Sequence, residues 1–113
     1  MKRYCLACDL KDDPELIEEY KSYHAAGKAW PEITQSILAA GITHMDIYLI
    51  GNRLCMIMEV DDSFDFNKKA ALDKNNPKVQ DWEKLMWKFQ QELPWAENGE
   101  KWMVMENIFQ LGA

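Results

Sequence analysis

Residues 3–10 alternate in the two-residue rhythm of a strand, and the polar stretch Lys11-Asp12-Asp13 closes it. Asp13 is placed to cap a helix, with Pro14 at the first helical position and Glu15 near the positive end of the dipole. In that helix Leu16, Tyr20 and His24 recur every four residues on one face, Ile17 lies beside them, and Gly27 interrupts the run. A second helix is predicted to restart near Pro31 and to carry Ile33, Ile37 and Leu38 inward, with Gly41 just past its end. Residues 43–50 and 53–60 read as strands joined by Gly51-Asn52. That dipeptide fits a type II′ hairpin turn, whose first position needs a positive φ that glycine adopts freely.

Asp61-Asp62-Ser63 ends the hairpin, a short helix is predicted within residues 64–73, and Asn75-Asn76-Pro77 starts another. From there Val79, Trp82, Met86, Phe89 and Leu93 recur at three- and four-residue spacing, the pattern of an amphipathic helix that Pro94 stops. Residues 95–101 read as a loop and 102–110 as a closing strand. The order β-α-β-β-α-β predicts an α+β, ferredoxin-like fold: an antiparallel sheet with helices on one face. No repeat or linker divides the chain, so residues 1–113 are expected to form one domain. The second sheet face needs cover, and two such sheets packed together would supply it, giving a dimeric α+β barrel.

Charge narrows the range of partners. The formal net charge is −6, and no basic run exceeds two residues, as at Lys68-Lys69. A protein that grips phosphate backbones needs a clustered excess of Lys and Arg, so neither nucleic acid nor anionic membrane is expected as a partner. No apolar run reaches the roughly 18 residues of a membrane span, and Met1-Lys2-Arg3-Tyr4 does not start a signal peptide, so a cytoplasmic location is expected. The three cysteines fit free thiols. Cys5 and Cys8 have C-x-x-C spacing, but residues three apart on a strand point to opposite faces, which argues against a metal or redox pair.

The candidate chemistry is sparse. Two histidines are present: His44 opens the second strand, and His24 lies one turn past Tyr20 on the first helix's apolar face. An imidazole in that position is either a core residue with one satisfied nitrogen or a proton carrier at cellular pH. There is no paired His or Cys spacing for a metal, no glycine-rich phosphate loop and no G-x-S-x-G. The remaining chemistry needs proton transfers alone, with no metal and no cofactor. Of five tryptophans, Trp82 lies on the amphipathic stripe, Trp87 lies off it, and Trp30, Trp95 and Trp102 fall near element ends. Each is either packing or, beside His and Tyr, a platform for the C–H face of a sugar.

Glu18-Glu19-Tyr20-Lys21-Ser22-Tyr23-His24, followed by Trp30-Pro31-Glu32, resembles the L-rhamnose mutarotase family. The resemblance continues through residues 41–48, Gly51-Asn52-Arg53-Leu54, Val79-Gln80-Asp81-Trp82 and the last strand. It implies a ferredoxin-like homodimer without a cofactor that exchanges the anomers of a monosaccharide. It also implies that His24 is the proton donor, Tyr20 a substrate-contacting residue, and Trp82 the first of a substrate-lining Trp-Trp pair. Three departures stand out. Five residues separate His24 from Trp30-Pro31 where the rhamnose enzymes have three, Glu83 replaces the second Trp, and Met45 replaces a substrate-contacting tyrosine. The pattern His-Ala-Ala-Gly-Lys-Ala-Trp-Pro-Glu is more similar to the branch regarded as L-fucose mutarotases, which makes L-fucose the expected substrate ahead of L-rhamnose.

On this reading His24 protonates the ring oxygen as the pyranose opens and takes the proton back on closure. Glu83 is the first candidate for the partner base, or else a solvated carboxylate. Lys28 either binds a sugar hydroxyl or is a loop charge, and Trp30 joins the substrate-binding candidates. Asp46 and Glu59 fall within apolar strand runs, where an inward carboxylate needs a partner. Cofactor-free monooxygenases of aromatic substrates and sugar-binding modules without activity share the architecture and are the rival classes.

Overall fold

The computed structural model describes residues 2–97 and 99–112. Strand β1 (Lys2–Leu10) pairs antiparallel with β3 (Arg53–Val60) along its length, from Lys2↔Val60 to Asp9↔Arg53. Strand β2 (Ile42–Ile50) pairs with the far edge of β3, with a register shift between Ile42 and His44. Two-residue strands β4 (Gln90–Gln91) and β5 (Met103–Val104) both pair antiparallel with β1. The sheet order is therefore β2-β3-β1, with a split fourth strand beside β1. Helices α1 (Pro14–Tyr23) and α2 (Pro31–Ala39) connect β1 to β2, and α3 (Phe66–Lys74) and α4 (Pro77–Trp87) connect β3 to β4. This is the expected ferredoxin-like order, with each helix region divided in two.

Local chemistry explains most of these boundaries. The Asp13 carboxylate accepts from the N–H groups of Glu15 and Leu16, and Pro14 needs no partner at the first helical position. Asp65 caps α3 through Asn67 and Lys68, and Asn76 caps α4 through Lys78 and Val79. Each such cap contributes about 1 kcal/mol. Gly51 has φ +58 and, among the described residues, no non-glycine has positive φ, so Asn52 keeps the negative φ that a type II′ turn requires after Gly51. Gly41 follows α2 at φ +95, where a Cβ would meet the Asp61 carboxylate at 2.7 Å.

One sheet face is buried under the helices. Cys8, Leu10 and Leu54 pack there with Tyr20, Met86 and Phe89, while Leu6, Met58 and Val60 pack with Ile42. The opposite face carries Tyr48 and Ile50 into the open, with Ile50 82 % exposed. Cys5 and Cys8 do fall on opposite faces, and burial pushes the Cys8 thiol up to about 12, far from the thiolate that redox or metal chemistry requires.

Four expectations need correction. The amphipathic run does not stay helical to Leu93. Helix α4 ends at Trp87, and the chain turns into β4, with the Lys11 N–H bonded to the Phe89 carbonyl. Phe89 and Leu93 are core residues as the spacing implied, yet the turn after α4 and the non-helical chain beyond β4 carry them there, because apolar spacing records burial and not conformation. The closing strand is Met103–Val104 alone, extended by one bond from Met105 N to Cys5 O, since only that stretch lies against β1's free edge. Leu38 points outward and is 60 % exposed; Ile33 and Ile37 already occupy the inward side of α2. Helix α1 stops at Tyr23, which makes His24 its C-cap residue.

Candidate active site

A cavity of about 410 Å³ lies between the covered sheet face and the helices. Its sheet side is apolar, with Met45, Ile47, Met56 and Met58, and its polar groups come from all four helices, β4 and the start of the last segment. That volume is in the range of small-molecule sites.

His24 is positioned by the end of α1. Its Nδ1 lies 2.9 Å from the Tyr20 carbonyl oxygen. A carbonyl can only accept, so Nδ1 carries the hydrogen and Nε2 is left for a ligand. The ring stacks on Tyr20, with centroids 4.3 Å apart, and meets the edge of Trp82 at 5.5 Å. Part of the residue remains open to solvent. Burial of the ring lowers the His24 pKa below 6.5, and the bond to the Tyr20 carbonyl offsets this only in part. Burial thus favours the neutral imidazole.

Tyr20 is buried, and burial raises its pKa, so the phenol keeps its proton. Gln90 Nε2 donates to its oxygen at 3.4 Å, which leaves the phenol hydrogen free to donate. Trp82 is half-buried, with Trp30 at 5.1 Å and Tyr23 at 6.2 Å in edge contacts. Glu83 lines the cavity, and its backbone carbonyl accepts from Lys101 Nζ at 2.9 Å. Desolvation lowers the Lys101 pKa, while the Glu83 charge pulls it back up.

Of the residues singled out from sequence, Tyr20, His24, Met45, Trp82 and Glu83 line one cavity. Trp30 stands behind Trp82 and does not line it. Lys28 is exposed in the loop between α1 and α2 and does not reach it. Asp46 and Glu59 project from the other sheet face, paired with His44 at 2.9 Å and Arg3 at 3.1 Å. Sequence reading missed Gln90, Lys101 and the Lys69–Asp73 ion pair, all in the cavity wall. The spacing of Lys69 and Asp73, one helical turn apart, was the one local signal available for any of them.

An antiparallel sheet of this order, helical on one side and with a histidine in the wall of a mixed apolar and polar cavity, defines a ferredoxin-like α+β protein. The chain belongs to the L-rhamnose mutarotase family, whose sequence model matches residues 3–111. Mutarotases are isomerases of carbohydrates, and this assigns to the chain the exchange of sugar anomers. It is 43 % identical over 111 residues to an L-fucose mutarotase of Xanthomonas campestris pv. campestris, covering 98 % of this chain and 89 % of that one. Among solved structures, it matches an L-rhamnose mutarotase from Formosa agariphila with TM-score 0.71 at 22 % identity, over 98 % of this chain and 99 % of that one. It also matches a tetracenomycin F2 cyclase from Streptomyces glaucescens with TM-score 0.64 at 15 % identity, over 100 % and 99 % of the two chains. At those identities the two structures speak to fold alone, and the fold hosts unrelated chemistries.

Proposed function

We propose that the chain interconverts the α and β anomers of L-fucose, with His24 as the catalytic proton carrier. The observation that carries the mechanism is the His24 geometry: Nδ1–H held by the Tyr20 carbonyl, and Nε2 left bare. The choice of sugar rests on the 43 % identical L-fucose mutarotase and on Met45 and Glu83, which give this cavity fewer rings and one more carboxylate.

Ring opening requires a base at the anomeric hydroxyl and an acid at the ring oxygen. The lowered pKa of His24 sets the order of events. His24 enters neutral, so Nε2 accepts the anomeric hydroxyl proton, the C1–ring oxygen bond breaks, and its electron pair goes to the ring oxygen. Protonation of the ring oxygen by His24, the role expected from sequence, would instead call on the minority imidazolium. Lys101 supplies the ring-oxygen proton in this scheme, because burial makes its ammonium more acidic while it makes the Tyr20 phenol less so. Glu83 then serves as the charge that keeps Lys101 protonated. After rotation about C1–C2, closure reverses both transfers on the other face.

The uncovered sheet face supports a homodimer. Tyr48 and Ile50 are exposed on it, and the final segment adds exposed Ile108, Phe109 and Leu111. A patch of that kind marks an interaction site, and twofold pairing of identical faces is the commonest way to cover one. Ile50→Asp is expected to shift sedimentation from dimer to monomer; wild-type protein sedimenting as a monomer would remove the proposal. The free thiols at Cys5, Cys8 and Cys55 suit a reducing, cytoplasmic setting.

The direct test is saturation-difference NMR of anomeric exchange with L-fucose and L-rhamnose in parallel. Faster exchange of L-fucose supports the reading, and a preference for L-rhamnose overturns the choice of sugar. Sugar binding without exchange would identify a binding module. Oxygen-dependent loss of an aromatic substrate would identify a monooxygenase.

A further inference from the structure

Among the described residues, two charged or amide side chains are buried to within a tenth of full exclusion, Asp9 and Gln90. Asp9 is satisfied by the Arg53 guanidinium at 2.8 and 3.2 Å. Gln90 is not. It is 3 % exposed, its Nε2 reaches the Tyr20 oxygen at 3.4 Å, and its Oε1 has no hydrogen-bond partner. Among the described residues no other buried side-chain polar atom is left in that condition. Exchanging the amide oxygen and nitrogen does not remove the orphan. The phenol would then donate to Oε1, and the NH₂ group would be the unpaired one.

The side chain cannot swing out to water. Gln90 is in β4, its backbone in register with Leu10 of β1, and the adjoining Phe89 is fully buried. Its amide lines the cavity together with Tyr20, whose phenol hydrogen is also uncommitted. Gln90 and Tyr20 thus stand together in the cavity wall, each with one hydrogen-bonding group not committed to the chain. A buried amide oxygen without a partner destabilises a fold, so its presence in a cavity wall points to a partner brought by the ligand.

We propose that Gln90 and Tyr20 form a hydroxyl-reading pair that determines which sugar the cavity accepts. One secondary hydroxyl of the sugar closes a ring of three hydrogen bonds. Gln90 Nε2–H donates to the Tyr20 oxygen, the Tyr20 O–H donates to the sugar oxygen, and the sugar O–H donates to Gln90 Oε1. The hydroxyl concerned is not the anomeric one, which His24 handles from its position one helical turn away. Gln90 touches no bond that breaks, so it acts on binding and orientation and not on the proton transfers.

This proposal rests on the mutarotase reading, and the experiment separates the two. Exchange is measured by NMR for L-fucose and its 2-, 3- and 4-deoxy analogues with wild type, Gln90→Leu and Tyr20→Phe, alongside the Tm of each protein. Wild type is expected to lose about ten- to a hundredfold in kcat/KM on one analogue, the range for leaving a buried partner unpaired. Gln90→Leu is expected to lose a similar factor on L-fucose, chiefly through KM, and nothing further on that same analogue. Its Tm should equal or exceed that of wild type, because an unpaired buried oxygen has been removed. Tyr20→Phe, which keeps the ring stacked on His24, should lose discrimination against the same analogue. Gln90→Leu that keeps the wild-type ranking of sugars, or that slows every sugar equally with a lower Tm, overturns the pair. A wild-type protein that accelerates no sugar overturns the mutarotase reading itself, and the pair with it.

Discussion

His24→Ala is expected to slow anomer exchange by about 10²–10⁴-fold, the contribution of one positioned acid or base. The fold should survive the change. His24 follows the last residue of α1, part of it is open to solvent, and it is absent from the buried core. Its contacts are the Nδ1 bond to the Tyr20 carbonyl and ring packing on Tyr20 and Trp82. Losing them loosens the end of one helix and no more. Exchange rates by NMR and a thermal melt on the same sample check both halves. A variant that retains the wild-type rate would leave the cavity without its proton carrier and end the proposed mechanism.

The pH profile of the wild type carries a sign that distinguishes two versions of that mechanism. Burial holds the His24 pKa below 6.5, so the neutral form dominates at pH 7. If neutral Nε2 takes the first proton, exchange above the uncatalysed background rises with pH through a midpoint below 6.5 and then levels off. If the imidazolium acts first, exchange falls as pH rises through the same midpoint. In His24→Ala that midpoint disappears under either version.

The parts of this molecule that were legible in the sequence are those decided locally. Asp13 and Asn76 announce helix starts because a side chain one residue before the helix meets the backbone N–H groups it must satisfy. Gly51-Asn52 announces the hairpin because one residue must take positive φ. Tyr20 and His24 are four residues apart, so their meeting is built into the helix. Gln90 meets Tyr20 across 70 residues of chain, and Lys101 meets Glu83 across 18. Nothing near Gln90 in sequence says that its amide is buried, or beside what. The end of α4 was hidden for a related reason. A residue at helical spacing and a residue at the edge of a sheet are both apolar when they reach the same core, as Phe89 does.

Phe89→Ala is expected to cost about 3–5 kcal/mol, the range for emptying a fully buried aromatic site. Phe89 has no exposed surface, and its ring lies 6.0 Å from Tyr20 and 5.8 Å from Tyr23 by centroid. Small domains have total stabilities of about 5–15 kcal/mol, so the loss is a large share, and Tm should fall by on the order of 15 °C. A thermal melt followed by circular dichroism checks this; an unchanged Tm would mean that the core does not turn on this residue. Exchange measured well below the new Tm asks a second question. Phe89 backs the Tyr20 ring on which His24 stacks, so the variant should exchange L-fucose more slowly than its folded fraction accounts for. Full activity per folded molecule would mean instead that the Nδ1 bond to the α1 backbone is enough to aim Nε2. The aromatic layer beneath would then contribute stability and nothing to the reaction.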